Sequence, residues 1–156
     1  MPVVEQTIII KAPLAVVMET LDRVQDIPGW ATVTGTIDQI RGNGRGMTYE
    51  WHYTIGDFSF EGKSEVIEQT ETTLITRTTG DVESLWTISL TPIGETSTAM
   101  RVVVEYMPPN IFVEVLADLV LDQLNNPEVA RENMVRFKEM TERRAAVIKE
   151  QIVTNC

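Results

Sequence analysis

The chain has 156 residues, about the size of one domain and long enough to bury a real core. Its 13 Lys and Arg face 23 Asp and Glu, and a net charge of -10 sets it against phosphate backbones and anionic membrane surfaces, so no nucleic-acid partner is expected. One cysteine, Cys156, and one histidine, His52, exclude an internal disulfide and a Cys/His zinc cluster, and no apolar run nears the ~20 residues that a stable membrane insertion needs.

The opening MPVVEQTIII lacks the basic start, apolar core and small-residue cleavage site of a secretory signal, so the expected location is cytoplasmic. No cofactor or metal is expected. Val3 to Lys11 is β-branched and apolar and reads as a strand. Ala12-Pro13 ends it, and Pro13 suits the first turn of a short helix to about Leu21, with Val16, Val17 and Leu21 at helical spacing. A looser segment runs on to Ile27, Pro28, Gly29 and Trp30.

From Thr32 to Met107 turn signals divide a Thr-, Val- and aromatic-rich stretch into six strands, roughly 33–41, 47–55, 58–68, 73–79, 82–91 and 97–107. Their short connections favour antiparallel neighbours. Alternation gives each strand a dry and a wet side. Met47, Tyr49, Trp51, Tyr53 and Ile55 share the dry one, joined by Phe58, Phe60, Gly62, Ser64 and Val66, by Trp86, Ile88 and Leu90, and by Met100, Val102, Val104 and Tyr106. Core packing would select the same alternation. The mixed character of Tyr49, Trp51, Tyr53, Trp86 and Tyr106, apolar bodies with polar tips, points instead to a cavity that uses those tips on a ligand.

Two motifs fail on position. Gly42-Asn43-Gly44-Arg45-Gly46 has the glycine spacing of a phosphate loop, but no helix follows it, so it reads as a turn. His52 and Glu50 have the chemistry of an acid/base pair but fall on the wet side, where cross-strand charge ladders are ordinary.

After Met107-Pro108-Pro109, Ile111 to Leu124 reads as a helix capped by Asn110, apolar except for a stripe of Glu114, Asp118 and Asp122. It needs cover on more than one side. A lid over the cavity mouth and a homodimer contact are the leading roles, with packing on the domain or contact with a membrane also open.

Asn126, Pro127 and Glu128 mark the start of a last helix running to about Ile152, some 37 Å long at ~1.5 Å per residue. Val129, Ala130, Asn133, Phe137, Met140, Thr141, Arg144, Val147 and Ile148 form its inner arc; Arg131, Glu132, Arg136, Lys138, Glu139, Glu142, Arg143, Lys149 and Glu150 form the outer. A helix this long must bury its inner face against a sheet. Asn133, Thr141 and Arg144 near the centre of that arc either bond to backbone, core water or the helix edge, or face a cavity and orient a bound molecule.

The run IKAPLAVVMETLDRVQDIPGW, with Ala12-Pro13, Val17, Leu21, Asp22, Pro28 and Trp30, resembles the opening of the START-like (SRPBCC) superfamily of polyketide cyclases and lipid-transfer proteins. The resemblance extends through the strands to the terminal amphipathic helix. It implies an α+β helix-grip fold, a seven-stranded curved antiparallel sheet around the long C-terminal helix, in one domain spanning residues 1–156. Between sheet and helix it implies a chamber. The expected function is binding or transport of a hydrophobic small molecule, a lipid, isoprenoid or polyketide-like compound. Tyr49, Trp51, Tyr53, Phe58, Phe60, Trp86, Ile88, Met100, Val102, Val104, Tyr106, Asn133, Phe137 and Thr141 are the candidate ligand contacts. The alternatives are a cyclase- or dehydratase-type enzyme, for which Tyr49, Tyr53, Tyr106 and Arg144 are the candidate acids or charge stabilisers, and an interaction module working through residues 111–124.

Overall fold

Glycines at positive φ punctuate the strand-rich half of the chain, at Gly42, Gly44 and Gly46 between the second and third strands, at Gly80 between the fifth and sixth and at Gly94 between the sixth and seventh. The computed structural model describes residues 3–31, 34–55, 58–107 and 126–154. Its elements are β1 (Val3–Ile10), α1 (Leu14–Asp22), a 3-10 turn (Val24–Asp26), α2 (Ile27–Trp30), β2 (Thr34–Arg41), β3 (Thr48–Ile55), β4 (Phe58–Gln69), β5 (Thr73–Gly80), β6 (Glu83–Ile93), β7 (Ser97–Met107) and α3 (Pro127–Thr154). Each strand lies within two residues of its expected bounds. The helix expected at residues 111–124, with its lid, dimer and interaction roles, lies outside the described residues.

The seven strands form one antiparallel sheet in the order β1-β7-β6-β5-β4-β3-β2. β2 to β7 are a meander of neighbours in sequence, and β1 closes onto β7, pairing Val4 with Val104 and Ile8 with Met100. The dry side is as the alternation sets it: Met47, Tyr49, Trp51, Phe60, Val66, Ile88, Leu90, Met100, Val102, Val104 and Tyr106 are all buried. On the other side His52 is exposed between Asp38 and Glu61, 3.6 Å from each, in a cross-strand ladder. Among the described residues no helix is long and apolar enough to cross a membrane.

α3 begins as its sequence directs, with Asn126 Oδ1 accepting the Glu128 N–H at 2.9 Å. Its inner arc is largely the expected one but is shifted toward Met134 and Ala145. Met134, Phe137 and Thr141 are buried and Ala145 packs on the core, whereas Val147, expected inside, is 52% exposed. Lys138 and Glu142, expected in water, are tucked against the end of β1. The Lys138 ammonium donates to the Ile9 carbonyl at 2.9 Å, the Glu142 carboxylate accepts the Lys11 N–H at 2.8 Å, and the two side chains pair with each other. Burial opposes ionisation of Glu142, yet the hydrogen bonds from Lys138 and the Lys11 N–H outweigh it and hold its carboxyl below the ordinary range. This clasp ties α3 along β1, at one edge of the sheet, and the helix also packs on α1 and α2. The far half of the sheet is left for α1, the 3-10 turn and α2 to cover.

Candidate functional site

Between that far half and its short-helix cover lies a hollow of about 140 Å³. β3 supplies Met47, Tyr49, Trp51 and Tyr53 from its end and dry face, β4 supplies Phe60, Ser64 and Val66, and Trp86, Ile88 and Tyr106 come from β6 and β7. Leu21 and Asp22 of α1, Val24 of the 3-10 turn, and Ile27 and Trp30 of α2 form the cover. A smaller hollow of about 50 Å³ lies beside it, lined by Met100, Val102, Val104, Asn133, Met134 and Phe137 among others. Both touch Leu21, Trp30, Trp86, Ile88 and Tyr106, which form the partition. The expected chamber lies between sheet and C-terminal helix. Among the described residues α3 lines only the smaller hollow, because its clasp to β1 keeps it at the sheet edge.

The sequence-derived candidates divide accordingly. Tyr49, Trp51, Tyr53 and Phe60 line the main hollow; Met100, Val102, Val104, Asn133 and Phe137 line the small one; Trp86, Ile88 and Tyr106 line both. Thr141 lines neither. Its hydroxyl, fully buried, donates to the Phe137 carbonyl at 2.7 Å, so its polar group is satisfied within the helix. Arg144 also lines neither, reaching Thr20 Oγ1 at 3.5 Å and Asp26 at 4.0 Å, which makes it a tie between α3 and the cover. The Phe58 side chain lies outside the described residues.

Residues that alternation did not single out complete the site. Trp30 and Asp22 come from the helical cover, where strand alternation says nothing, although both belong to the opening motif. Asp22 is the one ionisable acid or base among the described lining residues besides the tyrosines, and its carboxylate accepts a hydrogen bond from Gln69 Nε2. Thr76, Thr78 and Ser84, with Ser64 that alternation places on the dry face, add hydroxyls to the wall. Short polar residues on a dry face are the signal for such a wall, since a solid core disfavours them.

Aromatic rings form the floor. Trp51 stacks on Tyr53 with centroids 5.2 Å apart and planes 19° from parallel. Each ring lies flat over a glycine on the neighbouring strand, Trp51 over its register partner Gly62 and Tyr53 over Gly35. With no side chain beneath them the rings lie down on the sheet, and the space above stays open. Above the partition, Trp30 meets Phe137 edge-on at 5.4 Å.

The polar tips are mostly donors. Trp86 Nε1 donates to Ser84 Oγ at 3.1 Å, Ser64 and Thr78 share a 2.8 Å hydroxyl bond, and Tyr49 bonds to Ser64. Nε1 of Trp30 and of Trp51 are buried with no acceptor among the described residues. Burial pushes all three tyrosines above the ordinary value of 10.0; the Ser64 bond opposes this at Tyr49, and a neighbouring tyrosine reinforces it at Tyr53 and Tyr106. They are neutral donors throughout the physiological range.

These are the chain's only three tyrosines, so alkaline titration reads the site directly. Their folded values lie above the unfolded one. The stability they contribute is therefore complete below pH ~10 and is lost as the pH rises from there through the folded values. Tyrosinate absorbance is expected to stay flat through pH ~10 and then appear cooperatively with unfolding. A smooth titration centred near 10 with the fold intact would place the hydroxyls in water.

A curved antiparallel sheet holding a long terminal helix, with an apolar chamber on its concave side, defines the helix-grip class. The chain belongs to the polyketide cyclase / dehydrase and lipid transport family, which matches residues 1–142. Solved structures of similar fold include the Zhui aromatase/cyclase from Streptomyces sp. R1128, 14% identical over 91% of this chain and 94% of that one with a TM-score of 0.70. A second, the protein TTHA0849 from Thermus thermophilus, is 16% identical over 90% and 97%, with a TM-score of 0.68. A START superfamily protein from Mycobacterium smegmatis is 17% identical over 94% and 98%, with a TM-score of 0.66. At these identities the likeness is one of fold. No curated protein matches the chain in sequence.

Proposed function

We propose that this chain, acting as one ligand-binding domain over residues 1–156, binds a hydrophobic small molecule in the main hollow and serves as its carrier. One observation carries the reading. All three tryptophans and all three tyrosines of the chain line that single hollow. Amphipathic aromatics are placed where one end must be dry and the other must find a polar partner, and gathering every one of them around empty space is wasteful unless something fills it. Family membership supports the same reading, since lipid transport is among the family's described roles. Affinity would come from burial, at ~25 cal/mol per Å² of apolar surface, with the hydroxyl and indole groups setting orientation.

A second reading, a cyclase- or dehydratase-type enzyme, is favoured by the Asp22 carboxylate and the neutral tyrosine hydroxyls lining one cavity, a proton acceptor and proton donors around the same space. Arg144 has no part in it, being turned to Thr20 and Asp26.

The test is to purify the protein from its own host, extract it with organic solvent and identify what is released by mass spectrometry. A recurrent apolar compound near one per chain is expected, together with uptake of a neutral single-ring probe, 4-fluoroacetophenone, by the emptied protein. Absence of both would overturn the binding reading. With the compound in hand, replacing Tyr49, Tyr53 and Tyr106 by Phe separates the two readings: a carrier loses only a modest part of its affinity, an enzyme most of its turnover.

A further inference from the structure

We infer that the chamber selects a neutral, ring-sized molecule bearing hydrogen-bond-accepting oxygens, and that Asp22 is the specificity-determining residue that turns acids away. This rests on the binding function proposed above and goes on to state the chemical class of the ligand.

Size sets the first limit. The main hollow, about 140 Å³, is close to the ~150 Å³ apolar cavity known to admit benzene, so it holds one ring with a small substituent. A longer molecule would have to pass the partition of Trp30, Trp86 and Tyr106 into the smaller hollow or leave part of itself outside the mouth. Charge sets the second. Neither Lys, Arg nor His lines either hollow among the described residues, and the one carboxylate that does is already bonded by an uncharged amide, Gln69. A ligand carboxylate or phosphate would be buried with no cation to meet it and with a like charge beside it, which costs more than the apolar contacts of one ring return.

Hydrogen-bonding polarity sets the third. Among the described residues the indole N–H groups of Trp30 and Trp51 lack acceptors, and Tyr53 and Tyr106 are held in their protonated, donating form by burial. Ketone, ester, ether or quinone oxygens answer such a set without bringing charge or needing a donor in return.

The experiment uses three probes of nearly equal shape on the emptied full-length protein, read by 19F NMR titration: 4-fluoroacetophenone, 1-ethyl-4-fluorobenzene and 4-fluorobenzoate. The ketone is expected to bind about two- to tenfold more tightly than the hydrocarbon, the ratio for one net hydrogen bond. The benzoate is expected to bind at least about tenfold more weakly than the ketone, and Asp22→Asn to narrow that gap by about threefold. Repeating the wild-type comparison in high salt separates the local carboxylate from the overall net charge: the gap should persist in large part, because screening acts on exposed charges and much less on a partly buried one. Equal binding of ketone and benzoate, equal binding of ketone and hydrocarbon, or a gap that closes in salt would overturn the inference while leaving a binding cavity in place. Failure of all three probes to bind would overturn the binding function itself, and this inference with it.

Discussion

Replacing Gly62 with alanine should destabilise the protein by about 3 kcal/mol and abolish ligand binding, the largest effect expected of any single-methyl change here. Gly62 sits on β4 between Trp51 of β3 and Gly80 of β5. A Cβ there would lie 2.2 Å from Trp51 Cζ2 and 2.3 Å from the Thr79 carbonyl oxygen. The indole can swing clear, but the carbonyl belongs to the sheet backbone and cannot, so β4 and β5 must separate or β4 must twist. If the indole does rise, it moves into the hollow whose floor it now forms. Urea unfolding followed by tryptophan fluorescence measures the first effect, and 19F NMR titration with 4-fluoroacetophenone the second. Gly29→Ala is the matched control: its Cβ would meet only the end of the Met140 side chain, at 3.1 Å, and should change stability by less than ~0.5 kcal/mol. A Gly62→Ala protein within that same margin of wild type would mean that Trp51 does not lie flat on β4.

This glycine also marks where sequence reading stops. A glycine inside a strand announces either a bulge or a close approach, and only the register, Trp51 opposite Gly62 and Tyr53 opposite Gly35, says which ring rests on which backbone. The dry face itself is legible, because period-two alternation in β3, β4 and β7 is strict and most of the turns between strands are marked by glycine. So is the start of α3, where Asn126, Pro127 and Glu128 each act locally. The cover is not. Trp30 and Ile27 belong to a short helical piece with too few turns to show a face, Asp22 ends α1 beside its apolar stripe, and their place over the hollow depends on contacts far away in the chain, such as Arg144 with Thr20 and Asp26. Thr141 and Arg144 illustrate the ambiguity of polar residues on an inner arc. One is satisfied by its own helix and the other by the cover, and nothing in the helical period distinguishes either from a ligand contact.

The same ambiguity in α3 can be tested, because the helix as observed buries an arc shifted toward Met134 and Ala145 from the one that periodicity alone selects. Charge alone assigns Lys138 and Glu142 to water, yet their apolar stems lie along the helix flank while their heads bond to the end of β1. Taking up those bonds turns Met134 and Ala145 inward and Val147 outward. Phe137 is common to both phases and lies at the centre of the grip, 1% exposed, edge-on to Trp30 and on the wall of the smaller hollow. Phe137→Ala is therefore expected to cost about 3–5 kcal/mol, the range for emptying a fully buried aromatic site that its neighbours only partly refill. Met134→Ala should cost about 2–5 kcal/mol and Val147→Ala less than ~0.5 kcal/mol. The order of the last two decides the phase: were the arc drawn by periodicity the buried one, Val147→Ala would be the costlier. Loss of Phe137 also removes the ring against which Trp30 rests, so the cover over the main hollow should loosen. Phe137→Ala is accordingly expected to release 4-fluoroacetophenone faster than Met134→Ala at matched stability, which links the grip of α3 to the hollow through Trp30 although among the described residues the helix lines only the smaller of the two cavities.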